Sequence, residues 1–240
     1  MPAYKVKLKR REEVAEGTVA FHFEKPPRFE FRAGQFCNFT LLDPPETDAE
    51  GNLRTFSIAS APFEEDLMIA TRMRDTAFKR VLKAVPPGTL VKIDGPFGSF
   101  TLQTDAVRPA VFLAGGIGIT PFRSIVVEAT RKKLPHRLFL FYSNRRPEDA
   151  AFLLELQDIE RQNPNYKFIA TMTQMEKSQP VWTGESGFIN SPVLAKYLSD
   201  LATPIYYSAG PPAMVTAMRE MLLRAGVSED NIRTEDFAGY

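Results

Sequence analysis

The chain has 240 residues, 44% hydrophobic and 25% charged, which is enough for one large domain or two medium ones of ordinary globular composition. A formal net charge of +1 and the lack of a Lys/Arg-rich arm exclude recruitment of nucleic acid or an anionic membrane by a global field. The single cysteine, Cys37, excludes an internal disulfide and any iron–sulfur cluster or structural zinc site built on several cysteines of these residues.

The first stretch, MPAYKVKLKRREEV, lacks the apolar core of a signal peptide. The most apolar stretch, PAVFLAGGIGITPF, is too short and too rich in Gly and Pro to span a bilayer. The expectation is a cytoplasmic protein with no integral membrane span. Along the first hundred or so residues, YKVKLKRREEV, GTVAFHFEK, GQFCNFTLL, LRTFSIAS, LMIATRMR and TLVKIDG read as short strands separated by turn formers. Such spacing predicts an antiparallel barrel or sandwich. One helix, TAFKRVLKAV, interrupts it and ends at Pro86 to Gly88.

After FGSFTLQTDAVRP the pattern changes. AVFLAG is a continuous apolar run, as in a parallel strand buried on both faces. TPFRSIVVEATRKK reads as a helix, RLFLFYSN as a strand and PEDAAFLLELQDIERQ as a helix. The strand YKFIATM, the helix SPVLAKYLSD, the strand PIYYSAG and the helix PPAMVTAMREMLLRAG complete the series. Alternating strand and helix predicts a parallel sheet with right-handed crossovers. The fold class is thus β followed by α/β, with domains at 1–104 and 105–240.

Two turns carry binding chemistry. In LAGGIGITPF, Gly115, Gly116 and Gly118 permit a tight turn into a helix that begins near Thr120 and Pro121. Free amides at that helix terminus suit a pyrophosphate, although Pro121 stands where the ordinary dinucleotide fingerprint has a third glycine. The same turn is also explained by a strand–helix junction that merely needs glycine. In YYSAGPPAM a second strand ends at the same sheet edge, where α/β sheets bind ligands, though a plain helix start explains it equally. RTFSIAS, Arg54 to Ser60, alternates an arginine and an aromatic ring with hydroxyls. It is either a half-buried strand or a platform for a flat, anionic cofactor.

Together the motifs resemble the ferredoxin–NADP reductase superfamily over nearly the whole chain and in order. RTFS is similar to the flavin motif Arg-x-Tyr-Ser, with Phe56 for tyrosine; DTAFKR resembles the segment gripping the flavin pyrophosphate. GPFGSF resembles the last barrel segment and GGIGITP the nicotinamide-domain loop. AGPPAM resembles a Cys-Gly-Pro-Pro-x-Met turn, with Ala209 for cysteine, and EDFAGY an aromatic tail closing over the flavin.

The resemblance implies FAD and NAD(P)H as cofactors and hydride transfer between nicotinamide and flavin N5. It gives Arg54 a flavin phosphate, Phe56 the stacked ring and Ser57 a catalytic place near N5, with Thr55 beside them. Thr76 and the Ala77 and Phe78 amides would hold the pyrophosphate, and Arg72 is a further cofactor-binding candidate. Gly115, Gly116, Gly118, Thr120 and Pro121 would seat the dinucleotide; Ala209, Gly210, Pro211 and Met214 would shape its nicotinamide side. Ala209 implies slower or less tightly oriented hydride transfer. Glu235 is a second catalytic candidate, reaching the flavin with Phe237 and Tyr240, unless the tail is only an edge strand and a frayed end. Arg145 and Arg146 could bind a 2′-phosphate, and Glu148 or Asp149 ribose hydroxyls, so the choice between NADH and NADPH stays open.

Electrons would pass to a separate acceptor: a ferredoxin, flavodoxin, oxygenase component or small molecule, any iron–sulfur cluster being on that partner. A non-enzymatic flavin-binding module and a siderophore-iron reductase are the competing readings. His22 and His136 have no ligand-spaced partners, so no metal site is expected.

Overall fold

The computed structural model describes residues 3–237. The first half forms β1 (Ala3–Ala15), β2 (Thr18–Glu24), β3 (Phe36–Leu41), β4 (Leu53–Ser57), β5 (Asp66–Arg72), helix α1 (Ala77–Ala84) and β6 (Leu90–Phe97). The strands are antiparallel in the order β4-β3-β6-β1-β2-β5. β1 is long enough to serve both sides, pairing with β6 through Ala3–Lys7 and with β2 through Leu8–Ala15. Beyond β4 the chain closes the sheet toward a barrel, where the Ala59 amide donates to the Met68 carbonyl of β5 at 2.8 Å. Alternate residues of β3 and β6, Cys37, Phe39, Val91 and Ile93, fill the interior with Phe21, Phe23 and Phe78. Burial pushes the Cys37 thiol up to about 12, so it packs as a hydrophobe.

The second half comprises β7 (Ala110–Gly115), α2 (Ile119–Arg131), β8 (Leu138–Asn144), α3 (Leu153–Gln162), β9 (Tyr166–Met172), β10 (Glu185–Ser186), α4 (Ser191–Tyr197), β11 (Ile205–Gly210), α5 (Pro212–Arg224) and β12 (Ile232–Asp236). All strand pairs are parallel, in the order β10-β9-β8-β7-β11-β12. The strand order reverses between β7 and β11, and a crevice opens outside the carboxyl ends of strands at such a point. The helix expected from Pro147 starts only at Leu153. Pro147–Asp149 form a 3-10 turn, and Phe152 takes a left-handed conformation (φ 60°) that lays its ring 5.2 Å below the Arg123 guanidinium.

One of the buried clusters is shared by the two halves. Ala20, Ala59, Met68 and Ala70 of the barrel join Phe112, Phe122 and Tyr207 of the α/β half in one buried cluster. Arg123 of α2, 6% exposed, crosses the seam. It donates to the Ala59 carbonyl (2.8 Å) and Glu64 (3.0 Å) on the barrel side and to Glu155 of α3 (2.6 Å) on the other.

Candidate active site: two clefts with a common wall

The first cleft, about 460 Å³, lies between the barrel and β12. Arg54, Thr55, Phe56 and Ser57 of β4 form one wall, because β4 is the last strand of its sheet and both faces reach the rim. The Phe56 ring rests on Phe39 and Phe78, with centroids 5.8 Å away in each case, giving an aromatic floor. Thr55 donates its hydroxyl to Asn38 Oδ1 at 2.7 Å, and Ser57 is buried.

The cationic end is more elaborate than the motif suggests. Thr76 is the N-cap of α1, its hydroxyl oxygen accepting from the Lys79 amide at 3.4 Å. The Ala77 amide donates to Asp48 Oδ2 at 3.1 Å. Phe78 is buried beneath Arg54, whose guanidinium lies 5.3 Å from the ring centroid. Arg54 is wrapped by its own preceding loop: Nη2 meets Asp48 and Glu50 carboxylates, and Nη1 meets the carbonyls of Glu50, Gly51 and Leu53. Lys79, which the motif reading passes over, lines the same cleft. Burial, then the charges of Arg74 and Arg54, pulls its ammonium down to about 8. Its place in DTAFKR, three residues after the cap, is the signal that could have found it.

Opposite this floor stands Glu235 of β12. β12 is an edge strand that pairs Ala209 with Glu235 and Gly210 with Asp236, and Glu235, Asp236 and Phe237 also line the cleft. Burial raises the Glu235 carboxyl to about 7, and its Oε2 has no hydrogen-bond partner among the described residues. Tyr240 lies outside the described residues. An aromatic floor, a buried hydroxyl, an unpartnered carboxyl and a cationic end together fit a planar, phosphate-bearing group such as a flavin.

The second cleft, about 670 Å³, opens at the carboxyl ends of β7, β8 and β11. Gly115 and Gly116 line it with Arg145, Pro211 and Met214. Gly116 has φ +53°, and nothing lies within 4 Å of where its Cβ would be, so its backbone faces open space. Gly118 has another reason to be glycine: a Cβ would lie 2.2 Å from the Ala209 carbonyl oxygen. It locks the two turns together and lines neither cleft.

Several expected dinucleotide contacts fall elsewhere. Thr120 is buried, donates its hydroxyl to the Ile117 carbonyl at 3.1 Å and borders the first cleft. α2 begins at Ile119, so Pro121 is buried in its first turn and reaches neither cleft. Ala209 is fully buried in β11, and Gly210 packs against Gly115, so neither lines the crevice their strand leads to. The basic pair divides. Arg145 is exposed at the cleft, but Arg146 turns away to Asp149 (3.0 Å) and Glu16 (2.8 Å). Asp149 is buried and also accepts from Arg72 at 3.0 Å; although burial acts against it, Arg146 and Arg72 hold its carboxyl below the ordinary range. Glu148 accepts from the Ser178 hydroxyl at 2.9 Å. Arg72 of β5 lines the nucleotide-side cleft, as do Arg74, Ser143 and Gln174, which the motifs did not indicate.

The clefts adjoin. Thr71 borders the first and Arg72 the second; Gly116 borders the second and Thr120 the first. Trp182 lies apart from both, donating its indole N–H to the Glu185 carbonyl at 2.8 Å and packing on the α/β core. Among the described residues no group of three or more His, Cys, Asp or Glu could hold a metal ion. Among them, too, no helix is long and apolar enough to cross a membrane.

Residues 112–220 match the family described as oxidoreductase NAD-binding domain. One component of the Na(+)-translocating NADH-quinone reductase of Methylococcus capsulatus is 32% identical over 204 residues, 78% of this chain and 49% of that protein. The corresponding component from Klebsiella pneumoniae is 32% identical over 206 residues, 79% of this chain and 50% of its own length. The chain therefore spans about half the length of these curated relatives. Among solved structures, the Amycolatopsis cytochrome P450 reductase superposes with TM-score 0.82 at 22% identity, covering 98% of this chain and 70% of that one. A Neisseria gonorrhoeae ferredoxin NADP+ reductase, solved with FAD and NADP, gives TM-score 0.79 at 20% identity over 98% of both chains. The chain therefore has the fold of these reductases, and its residues 112–220 are similar to the oxidoreductase NAD-binding domain family.

Proposed function

We propose that the protein is an FAD-dependent NAD(P)H oxidoreductase that passes electrons to a separate acceptor. The observation that carries this is the common wall: a cleft fitted to a flavin and a cleft fitted to a dinucleotide meet along residues 71–72 and 116–120. Bound flavin would supply hydride acceptance from nicotinamide and release of electrons singly or as a pair. The chain's own residues do the rest. Phe56 offers the stacking floor, Ser57 a hydroxyl beside the reacting edge, and Arg54, Lys79 and the start of α1 the phosphate end. Glu235, half-buried in the cleft wall, holds or gives a proton near neutral pH. Gly115, Gly116, Pro211 and Met214 seat the nucleotide, and Arg145 stands at its charged end.

The domain division at 104/105 falls in the segment between β6 and β7 and is part of this reading. The acceptor is an electron-transfer protein, the next component of an assembly or a small molecule. Relatives named as one component of a quinone reductase and a reductase of a cytochrome P450 favour a protein that serves others. A cytoplasmic place is the corresponding location.

The test is an anaerobic visible spectrum of purified protein reconstituted with FAD, before and after NADH or NADPH. Bleaching of the flavin bands by either nucleotide is expected. A bound flavin indifferent to both would leave only a flavin-binding module, and failure to bind flavin would remove the reading altogether.

A further inference from the structure

The loop between β3 and β4 places its own carboxylates where the proposed cofactor's phosphates would go. Asp48 Oδ1 accepts from Arg54 Nη2 at 2.9 Å, and Asp48 Oδ2 accepts from the Ala77 amide at 3.1 Å. One carboxylate thus bridges a guanidinium and a helix-terminal amide, a donor pair suited to a phosphate. Glu50 sets a second carboxylate on Arg54 Nη2 at 2.9 Å. The guanidinium side chain is 17% exposed, whereas those of Asp48 and Glu50 are 31% and 74% exposed. The arginine is therefore fixed in the wall while its partners ride on an open loop. Partial burial works against the Asp48 charge, but the Arg54, Glu50 and Ala77 hydrogen bonds outweigh it and keep the carboxyl ionised at neutral pH. The Glu50 pair is exposed, weak and readily exchanged, and the half-buried Asp48 pair is the one a competing phosphate must replace.

We infer that Asp48 is an internal stand-in for the flavin phosphate: the 43–52 loop occupies the phosphate subsite of the flavin-free protein, and a phosphorylated flavin binds by displacing it. The inference rests on the flavin reading above. Displacement swaps one anion for another at Arg54 and the start of α1, so it lowers affinity for FAD. A flavin with no phosphate uses only the Phe56 and Ser57 end and meets no competitor.

The test titrates the whole flavin-free chain with FAD and, separately, with riboflavin, following quenching of flavin fluorescence. Asp48→Asn keeps the side chain's shape and removes its charge. FAD should bind about threefold to tenfold more tightly, the strength of a weak ion pair, and riboflavin binding should not change. Glu46→Gln is the control: Glu46 carries the same charge on the same loop but is bonded to Arg80 at 3.0 and 2.6 Å. It should alter neither titration. Unchanged or weaker FAD binding in Asp48→Asn overturns the inference, because Asp48 would then be inert or would organise the site. So does an equal gain for riboflavin, or a gain reproduced by Glu46→Gln, since either would reveal a general charge effect. Wild-type protein that binds neither flavin brings down the flavin reading, and this inference with it, in the first titration.

Discussion

The two clefts present anion-binding faces by opposite means. The first does so with side chains, Arg54 and Lys79, that are already bonded to the protein's own oxygens. The second sets backbone beside the arginines at its rim, in turns packed so closely that a methyl group at Gly118 would strike the facing carbonyl. Side-chain recognition can be exchanged by small movements of a loop. Backbone recognition is rigid, and its tolerance of substitution is correspondingly low.

The largest effect should come from breaking the rigid side. Gly118→Ala puts Cβ against the backbone of Ala209 and Gly210, which cannot give as a side-chain end could. We expect a loss of about 3 kcal/mol of stability in chemical denaturation, with nucleotide binding impaired and flavin binding less so. Equal loss of both ligands without loss of stability would contradict the division drawn here.

Glu235 sharpens the comparison on the first side. Its carboxyl is raised by burial to about 7, above the ordinary value of 4.5. The folded state therefore holds a proton that the unfolded chain releases, and this contribution to stability falls as pH rises from about 4.5 through 7. Glu235→Gln should stabilise the flavin-free protein by on the order of 1–3 kcal/mol at pH 8 and by almost nothing at pH 4. It should also remove from the rate of flavin reduction any titration near neutrality. Thermal midpoints at the two pH values check the first half; a pH profile of nucleotide-dependent flavin reduction checks the second.

Smaller effects should follow at single contacts. Arg145→Ala should weaken NADPH binding about tenfold and NADH binding less, measured by calorimetry, if Arg145 meets the 2′-phosphate. Equal losses would place it on a phosphate common to both nucleotides. Phe56→Tyr restores a hydroxyl while keeping the stack, and should slow flavin release about threefold. Faster release would mean that Phe39 and Phe78 leave no room for the hydroxyl.

Much of this was legible in sequence because it follows from periodicity and turn chemistry. GTVAFHFEK and AVFLAG both became strands, the second buried throughout as expected; β2 is likewise buried from Thr18 to Phe23, on both faces and not on one as alternation predicts. The glycine turn and YYSAGPP lie at one sheet edge, where the strand order reverses. What escaped the sequence was partnership across long separations. Nothing in DPPETDAEGN shows that Asp48 will reach both Arg54 and the start of α1, or that Arg146 will prefer Glu16, far away in the chain. Ala209 is buried and Thr120 borders the first cleft and not the second for a related reason: a motif fixes the order of residues, but packing decides which cleft, if any, each reaches. Glu235 was legible by position and not by chemistry, since its raised carboxyl comes from burial by other elements.

The seam around Arg123 bears on how the molecule comes apart. Separating the halves would strip a nearly buried guanidinium of Glu64 or of Glu155 and open a hydrophobic cluster that draws residues from both. Barrel and α/β half should therefore melt as one cooperative unit, with a single calorimetric transition whose van't Hoff and calorimetric enthalpies agree. Two sheets by topology would then be one unit by thermodynamics, and the wall between the clefts would last as long as the whole fold does.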